Sequence, residues 1–123
     1  MTPHFSKAEL ACRCGCGMLP AQDFMDKVEN LRVAYGKPMP VNSAARCPAW
    51  NAQVSSTGLN GPHTTGRAID VEVSRGDAYA LLRSALERGF TGIGVNQKGD
   101  KRFMHIDDLP DAPGQPRPTI WSY

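Results

Sequence analysis

The chain lacks the features that mark a membrane-spanning or nucleic-acid-binding protein. No stretch approaches the ~18 consecutive apolar residues that a spanning helix needs. The first twenty residues hold no continuous apolar segment of the kind a secretory signal carries, so synthesis in the cytoplasm without a signal peptide is expected. The net charge of +2 comes from scattered Lys and Arg. There is no block of like charge and no basic stripe interleaved with aromatics, so nucleic acid is not an expected partner. No segment repeats. With 123 residues and 41% hydrophobic side chains, the chain fits a single domain, 1–123, built on one modest core, and a monomer is expected.

Histidine is scarce as well. Of three in the chain, His4 sits near the terminus, where a solvated side chain is the usual outcome. The other two fall in chemically suggestive segments: H-T-T-G-R-A-I-D runs from His63 to Asp70, and R-F-M-H-I-D-D holds His105. Two imidazoles and a carboxylate make the ligand set of a catalytic zinc site, in which three protein ligands leave a fourth position for water. No helical H-E-x-x-H is present, so strands must do the positioning. Ala68 to Val73 alternates as A-I-D-V-E-V, which sends Ile69, Val71 and Val73 to the core and Asp70 and Glu72 to the opposite face. Phe103 to Asp107 alternates likewise, placing His105 and Asp107 on one face and Met104 and Ile106 on the other. If the two strands pair, their polar faces meet. Gly66 can turn the chain so that His63 returns over that face.

A third segment, S-A-A-R-C-P-A-W-N, carries Arg46. Together with G-P-H-T-T-G-R-A-I-D, M-H-I-D and the opening F-S-K-A-E-L-A-C-R-C-G-C-G, it resembles the zinc D-alanyl-D-alanine carboxypeptidases and related phage endolysins, a family with a hedgehog-like zinc fold. The resemblance covers about residues 5 to 109 and implies Zn2+ on His63, Asp70 and His105, with Arg46 holding a substrate carboxylate or carbonyl oxygen. A fixed guanidinium is suited to that task on chemical grounds too. The implied reaction is hydrolysis of a peptide bond in bacterial peptidoglycan stem or cross-link peptides, by a carboxypeptidase or an endolysin-type endopeptidase. The implied place of action is the cell wall, and a phage or prophage origin is compatible with it. Some members carry a glutamate three residues before the last histidine and others a histidine two before it; here those positions are Arg102 and Phe103. Two carboxylates remain as candidate general bases: Asp107, which is favoured, and Glu72. Either can instead orient a ligand histidine. Asp108 reads as a turn cap. The competing reading is a zinc-containing module that binds cell-wall peptide or a protein partner without hydrolysing it.

Cys12, Cys14 and Cys16 crowd the N-terminal region and Cys47 adjoins Arg46. Four sulfurs admit a structural zinc site, a disulfide from the cluster to Cys47, or free thiols. The remaining pattern predicts an α+β domain, with helices packed on a small antiparallel sheet. Ser6 and Glu9 form a capping-box pattern. Helices are predicted over Pro20–Tyr35, with Phe24, Val28, Leu31 and Tyr35 inward, over Pro48–Ser56, and over Asp77–Gly89, capped by Ser74 with Tyr79, Leu82, Ala85 and Leu86 inward. Strands are predicted at Met39–Ser43, Gly92–Val95 and Arg102–Ile106. Residues 110–123 read as a turn-rich tail in which Trp121 and Tyr123 are packing residues.

Overall fold

The computed structural model describes residues 1–123. Its elements are α1 (Lys7–Leu10), α2 (Gln22–Tyr35), β1 (Val41–Ser43), α3 (Pro48–Val54), a 3-10 turn (Pro62–Thr65), β2 (Ala68–Glu72), α4 (Arg75–Glu87), β3 (Gly92–Asn96), β4 (Phe103–Asp107) and β5 (Thr119–Ser122). The class is α+β, as the sequence predicts. No helix is long and apolar enough to cross a membrane.

One five-stranded sheet, ordered β1-β2-β4-β3-β5, organises the molecule. The β2–β4 pair is antiparallel, with Ile69 opposite Ile106, Asp70 opposite His105 and Val71 opposite Met104. Because strand side chains alternate, that register puts the apolar partners on one face and the polar ones on the other. The apolar face packs against α2 and α4 through Phe24, Met25, Val28, Leu31, Leu81 and Ala85, all fully buried. The sheet is antiparallel except at β5, which joins β3 in parallel, Ile93 opposite Ile120. The tail is thus a strand, not only a set of turns. Its Pro-rich approach and short length hide any period-2 signal.

Two further predictions need correction. Helix α4 starts at Arg75, and its buried stripe is Ala78, Leu81 and Ala85, whereas Tyr79 and Leu86 are 76% and 57% exposed. The inward face is therefore one position earlier in sequence than the bulkiest side chains suggest. Ser74 does occupy the N-cap position, but its side chain makes no cap bond; Gln97 Oε1 accepts the Arg75 N–H instead. His4 is not simply solvated either, since its Nδ1 pairs with Glu29 Oε2. The capping box at α1 forms as expected, with Glu9 Oε1 accepting the Ser6 N–H and Ser6 Oγ the Glu9 N–H.

Asp108 is more than a turn residue. Its carboxylate accepts from Arg67 at 2.9 and 2.7 Å and from Lys27 Nζ at 2.9 Å, tying the end of β4 to α2 and to the chain entering β2. Burial pushes its pKa up, but hydrogen bonds from Arg67 and Lys27 outweigh that and hold the carboxyl below the usual carboxylate range.

A depressed folded-state pKa contributes stability above the unfolded value, about 3.9, that is lost as pH falls below it. Asp108→Asn is expected to lower stability at neutral pH and to flatten the acid limb below about pH 4; urea midpoints across pH test this, and an unchanged acid limb contradicts it. For α4, Leu81→Ala is expected to cost about 2–5 kcal/mol and Leu86→Ala no more than about 0.5 kcal/mol in denaturant unfolding. Equal losses would contradict the assigned helix face.

Candidate metal centre

The polar face of the β2–β4 pair carries Asp70 and His105 directly opposite each other. His63 reaches them from the 3-10 turn, whose Gly66 has the left-handed φ of 75° that lets the chain enter β2 immediately after it. One ligand atom from each of His63, Asp70 and His105 lies within 4.8 Å of the others, and all three side chains are buried. His63 Nε2 and His105 Nδ1 stand 3.2 and 3.1 Å from the same oxygen, Asp70 Oδ1.

The far side of each ring decides what those atoms present. His63 Nδ1 is 2.7 Å from the Ala44 carbonyl oxygen, and His105 Nε2 is 2.7 Å from Asp107 Oδ2. Both partners only accept, so each of these nitrogens carries the hydrogen and the other nitrogen turns its lone pair toward Asp70. Three electron-pair donors then converge on one point, which is repulsive unless positive charge sits among them. Protons can supply it: burial lowers the His105 pKa, but Asp107 and Asp70 outweigh burial and raise it. Burial likewise opposes ionisation of Asp70, yet the two histidines hold it well below the usual carboxylate range. A divalent cation supplies the charge more completely. Two neutral imidazole nitrogens and one carboxylate oxygen are a donor set that suits zinc, so the residues fit the group.

Asp107 does not stand free as a base. It is completely buried, and Arg117 grips it with a two-pronged hydrogen bond, Nε to Oδ1 at 3.0 Å and Nη2 to Oδ2 at 2.8 Å. The Leu109 N–H also donates to Oδ1. Burial pushes its pKa up, yet the bonds from His105 and Arg117 bring it down to about 2. A carboxylate so paired is a poor proton acceptor near neutral pH and a good orienter of His105. Glu72, the other candidate, lies elsewhere. It shares a face with Asp70 by parity, but it sits exposed at the end of β2, in a separate cleft of about 640 Å³ with Lys37, Asp77 and Arg102. That larger cleft contains no histidine.

The three donors open instead into a cavity of about 440 Å³. Arg46 lines it, Nη2 3.5 Å from Asp70 Oδ2, and is braced by Ser43 Oγ at 3.0 Å and Asn51 Oδ1 at 3.2 Å. Asn51 is fully buried at the start of a chain of bonds that sequence reasoning did not single out. Its amide also donates to Thr57 Oγ1 at 2.8 Å and to the Gly58 carbonyl at 2.6 Å, pinning the loop at the cavity rim to the helix beside Arg46. Val54, Pro62, Phe103, Trp121 and Tyr123 supply the apolar and aromatic wall.

Trp121 and Tyr123 are thus cavity residues, contrary to their reading as packing alone. The Trp121 ring lies 5.0 Å from the His105 ring, and the Arg117 guanidinium stacks over it at 5.3 Å. These contacts depend on the bare face of β3. Gly92 lies opposite Asp107 and Gly94 opposite both His105 and Trp121. A Cβ at Gly92 would overlap the Asp107 carboxylate, and one at Gly94 would press on the Trp121 indole at 2.6 Å. The G-I-G-V run is the signal in the sequence: alternate glycines leave one face of a strand empty.

A family model described as Peptidase M15 matches residues 3–107 of the chain. No curated protein matches it. The matched span includes Arg46, His63, Asp70, His105 and Asp107 and ends before Arg117, Trp121 and Tyr123.

Gly92→Ala must displace the Asp107 carboxylate and with it the support behind His105. We expect a stability loss of about 1–3 kcal/mol and zinc binding weakened about 10- to 100-fold, read by denaturation and by competition with a chromophoric chelator. Gly76→Ala, where a Cβ meets nothing, is the control. Wild-type zinc affinity in the Gly92 variant would contradict the role given to Asp107.

Proposed function

The chain belongs to the Peptidase M15 family, and on that premise we propose that it is a zinc peptidase that hydrolyses a peptide bond in the stem or cross-link peptides of bacterial peptidoglycan. The observation that carries this reading is the placement of Arg46. A braced guanidinium lines the same cavity as the three convergent donors, 3.5 Å from the Asp70 carboxylate. His63, Asp70 and His105 would hold the ion. When bound, zinc polarises a carbonyl and makes water acidic enough to act as a nucleophile near neutral pH.

The chain's own residues do the rest. Ala44 and Asp107 fix the tautomers and ring planes of the two histidines, so the donor geometry exists before any substrate arrives. Ser43 and Asn51 hold Arg46 extended, at little further entropic cost on binding. Its Nη groups can take a substrate carboxylate or steady the negative charge that develops on the attacked carbonyl oxygen. Burial, reinforced by Asp70, pushes the Tyr123 phenol above its ordinary pKa against the pull of the Trp121 indole. It therefore stays protonated and adds a hydrogen-bond donor to the lining of the same cavity. The aromatic and aliphatic lining suits the small apolar side chains of alanine-rich stem peptides.

The direct test is release of new amino groups from purified peptidoglycan and from a synthetic stem pentapeptide, with products identified by mass spectrometry. Arg46→Met is expected to lower kcat/KM about 10- to 100-fold, in line with loss of a charge-assisted hydrogen bond worth ~1.5–3 kcal/mol. Asp107→Asn should fall by a similar factor through weaker metal binding, with part of the loss recovered at high zinc. Glu72→Gln should stay within about twofold of wild type. Absence of products from the zinc-loaded protein, with retained binding to cell walls, would overturn hydrolysis in favour of a binding module.

A further inference from the structure

A second donor cluster lies away from the histidine centre. Cys12, Cys14 and Cys16 come from the connection between α1 and α2, and Cys47 from the connection between β1 and α3, yet all four Sγ atoms lie within 4.8 Å of one another. Cys12 and Cys14 are 3.4 Å apart and Cys14 and Cys47 3.6 Å. A disulfide needs about 2.05 Å, and all four cysteines are free. Four thiolates around one zinc at ~2.3 Å define a tetrahedron whose edges are roughly 3.8 Å. The observed separations are close to that edge.

Local backbone explains how a C-x-C-x-C run achieves this. In an extended chain, alternate residues would share a face but spread about 7 Å apart. Here Gly15 and Gly17 adopt left-handed φ of 86° and 87°, and the Gly15 N–H closes on the Cys12 carbonyl at 3.2 Å, folding the segment on itself. Nothing crowds a Cβ at either glycine, so backbone conformation is what glycine supplies there. The sulfurs also accept hydrogen bonds: the Cys47 N–H donates to Cys12 Sγ at 3.3 Å and the Trp50 N–H to Cys47 Sγ at 3.4 Å. These bonds tie two of the sulfurs to backbone of the Arg46-bearing segment and of the helix that follows it, so their positions are set by the fold.

We propose that Cys12, Cys14, Cys16 and Cys47 bind a second zinc ion in a closed, structural four-sulfur site that staples the α1–α2 connection to the segment carrying Arg46. Binding releases the four thiol protons to solvent and leaves no coordination position for water or substrate. Soft thiolates select zinc over magnesium or calcium. The site's reach into function is mechanical. Cys47 follows Arg46 directly, and the same short stretch is held by the Ala45 N–H to the Leu10 carbonyl and the Arg46 N–H to the His63 carbonyl. Locking Cys47 therefore fixes the backbone from which Arg46 extends.

Zinc content of the full chain, purified under reducing conditions, separates the two centres. The expected result is two zinc ions per chain in the wild type, one in the H63A/H105A double variant and one in C14S/C16S. Cobalt-exchanged wild-type protein should show intense sulfur-to-cobalt charge-transfer absorption, which H63A/H105A keeps and C14S/C16S loses. The wild-type spectrum needs no variant to fold. Absence of that absorption in the wild type, or a Cys14–Cys47 disulfide in the intact mass of freshly purified protein, would overturn the proposal. Loss of all zinc from H63A/H105A with a folded circular-dichroism spectrum would do so as well. None of these outcomes depends on whether the histidine centre hydrolyses peptide.

Discussion

The pairing of Asp70 with His105 across β2 and β4 is the constraint on which the rest of the structure depends. A slip of β4 by one residue in that register would turn Met104 and Ile106 to the cavity and His105 to the core, away from Asp70. The core on one face therefore enforces the site on the other. Fully buried Ile69 and Ile106 face each other in the same ladder that aligns the ligands, so the packing that stabilises the fold also sets the donor separation. A rigid paired strand holds such a geometry more closely than a loop does.

The site itself works against stability. It concentrates Asp70, Asp107 and two imidazoles where water is largely excluded, and buried charge is costly without partners. The structure answers with graded compensation. Arg117 neutralises Asp107 through a fork and stacks on Trp121, while Arg46 faces the outer oxygen of Asp70. The inner oxygen, shared by both histidines, is the one place where the balance calls for a cation. A cation bound there would couple metal binding to folding in free energy, each strengthening the other.

Much of this is legible in the sequence because period-2 alternation is a local signal. A-I-D-V-E-V and F-M-H-I-D mark both strands and their faces, and with the His63 segment they point to the three donors. Parity, however, says which face a side chain leaves from and nothing about how far along the strand the cavity extends. Glu72 has the right parity and lies beyond the cavity's edge. Asp107 has the right parity too, but its availability is decided by Arg117, which lies ten residues on in a Pro-rich stretch with no periodicity. The parallel joining of β5 to β3, and the aromatic wall it brings, likewise rest on a long-range pairing that no local pattern encodes. In α4 the small residues Ala78 and Ala85 share the inward stripe with Leu81 while Tyr79 and Leu86 face solvent, so side-chain size alone misleads about which face is buried.

The most direct test of the histidine centre is diffraction from crystals of the zinc-loaded protein, with data on both sides of the zinc absorption edge. The expected result is an anomalous peak bounded by His63 Nε2, Asp70 Oδ1 and His105 Nδ1, with Asp107 still hydrogen-bonded behind His105. No peak among those three atoms at saturating zinc, with the side chains in their present positions, would contradict a metal centre there.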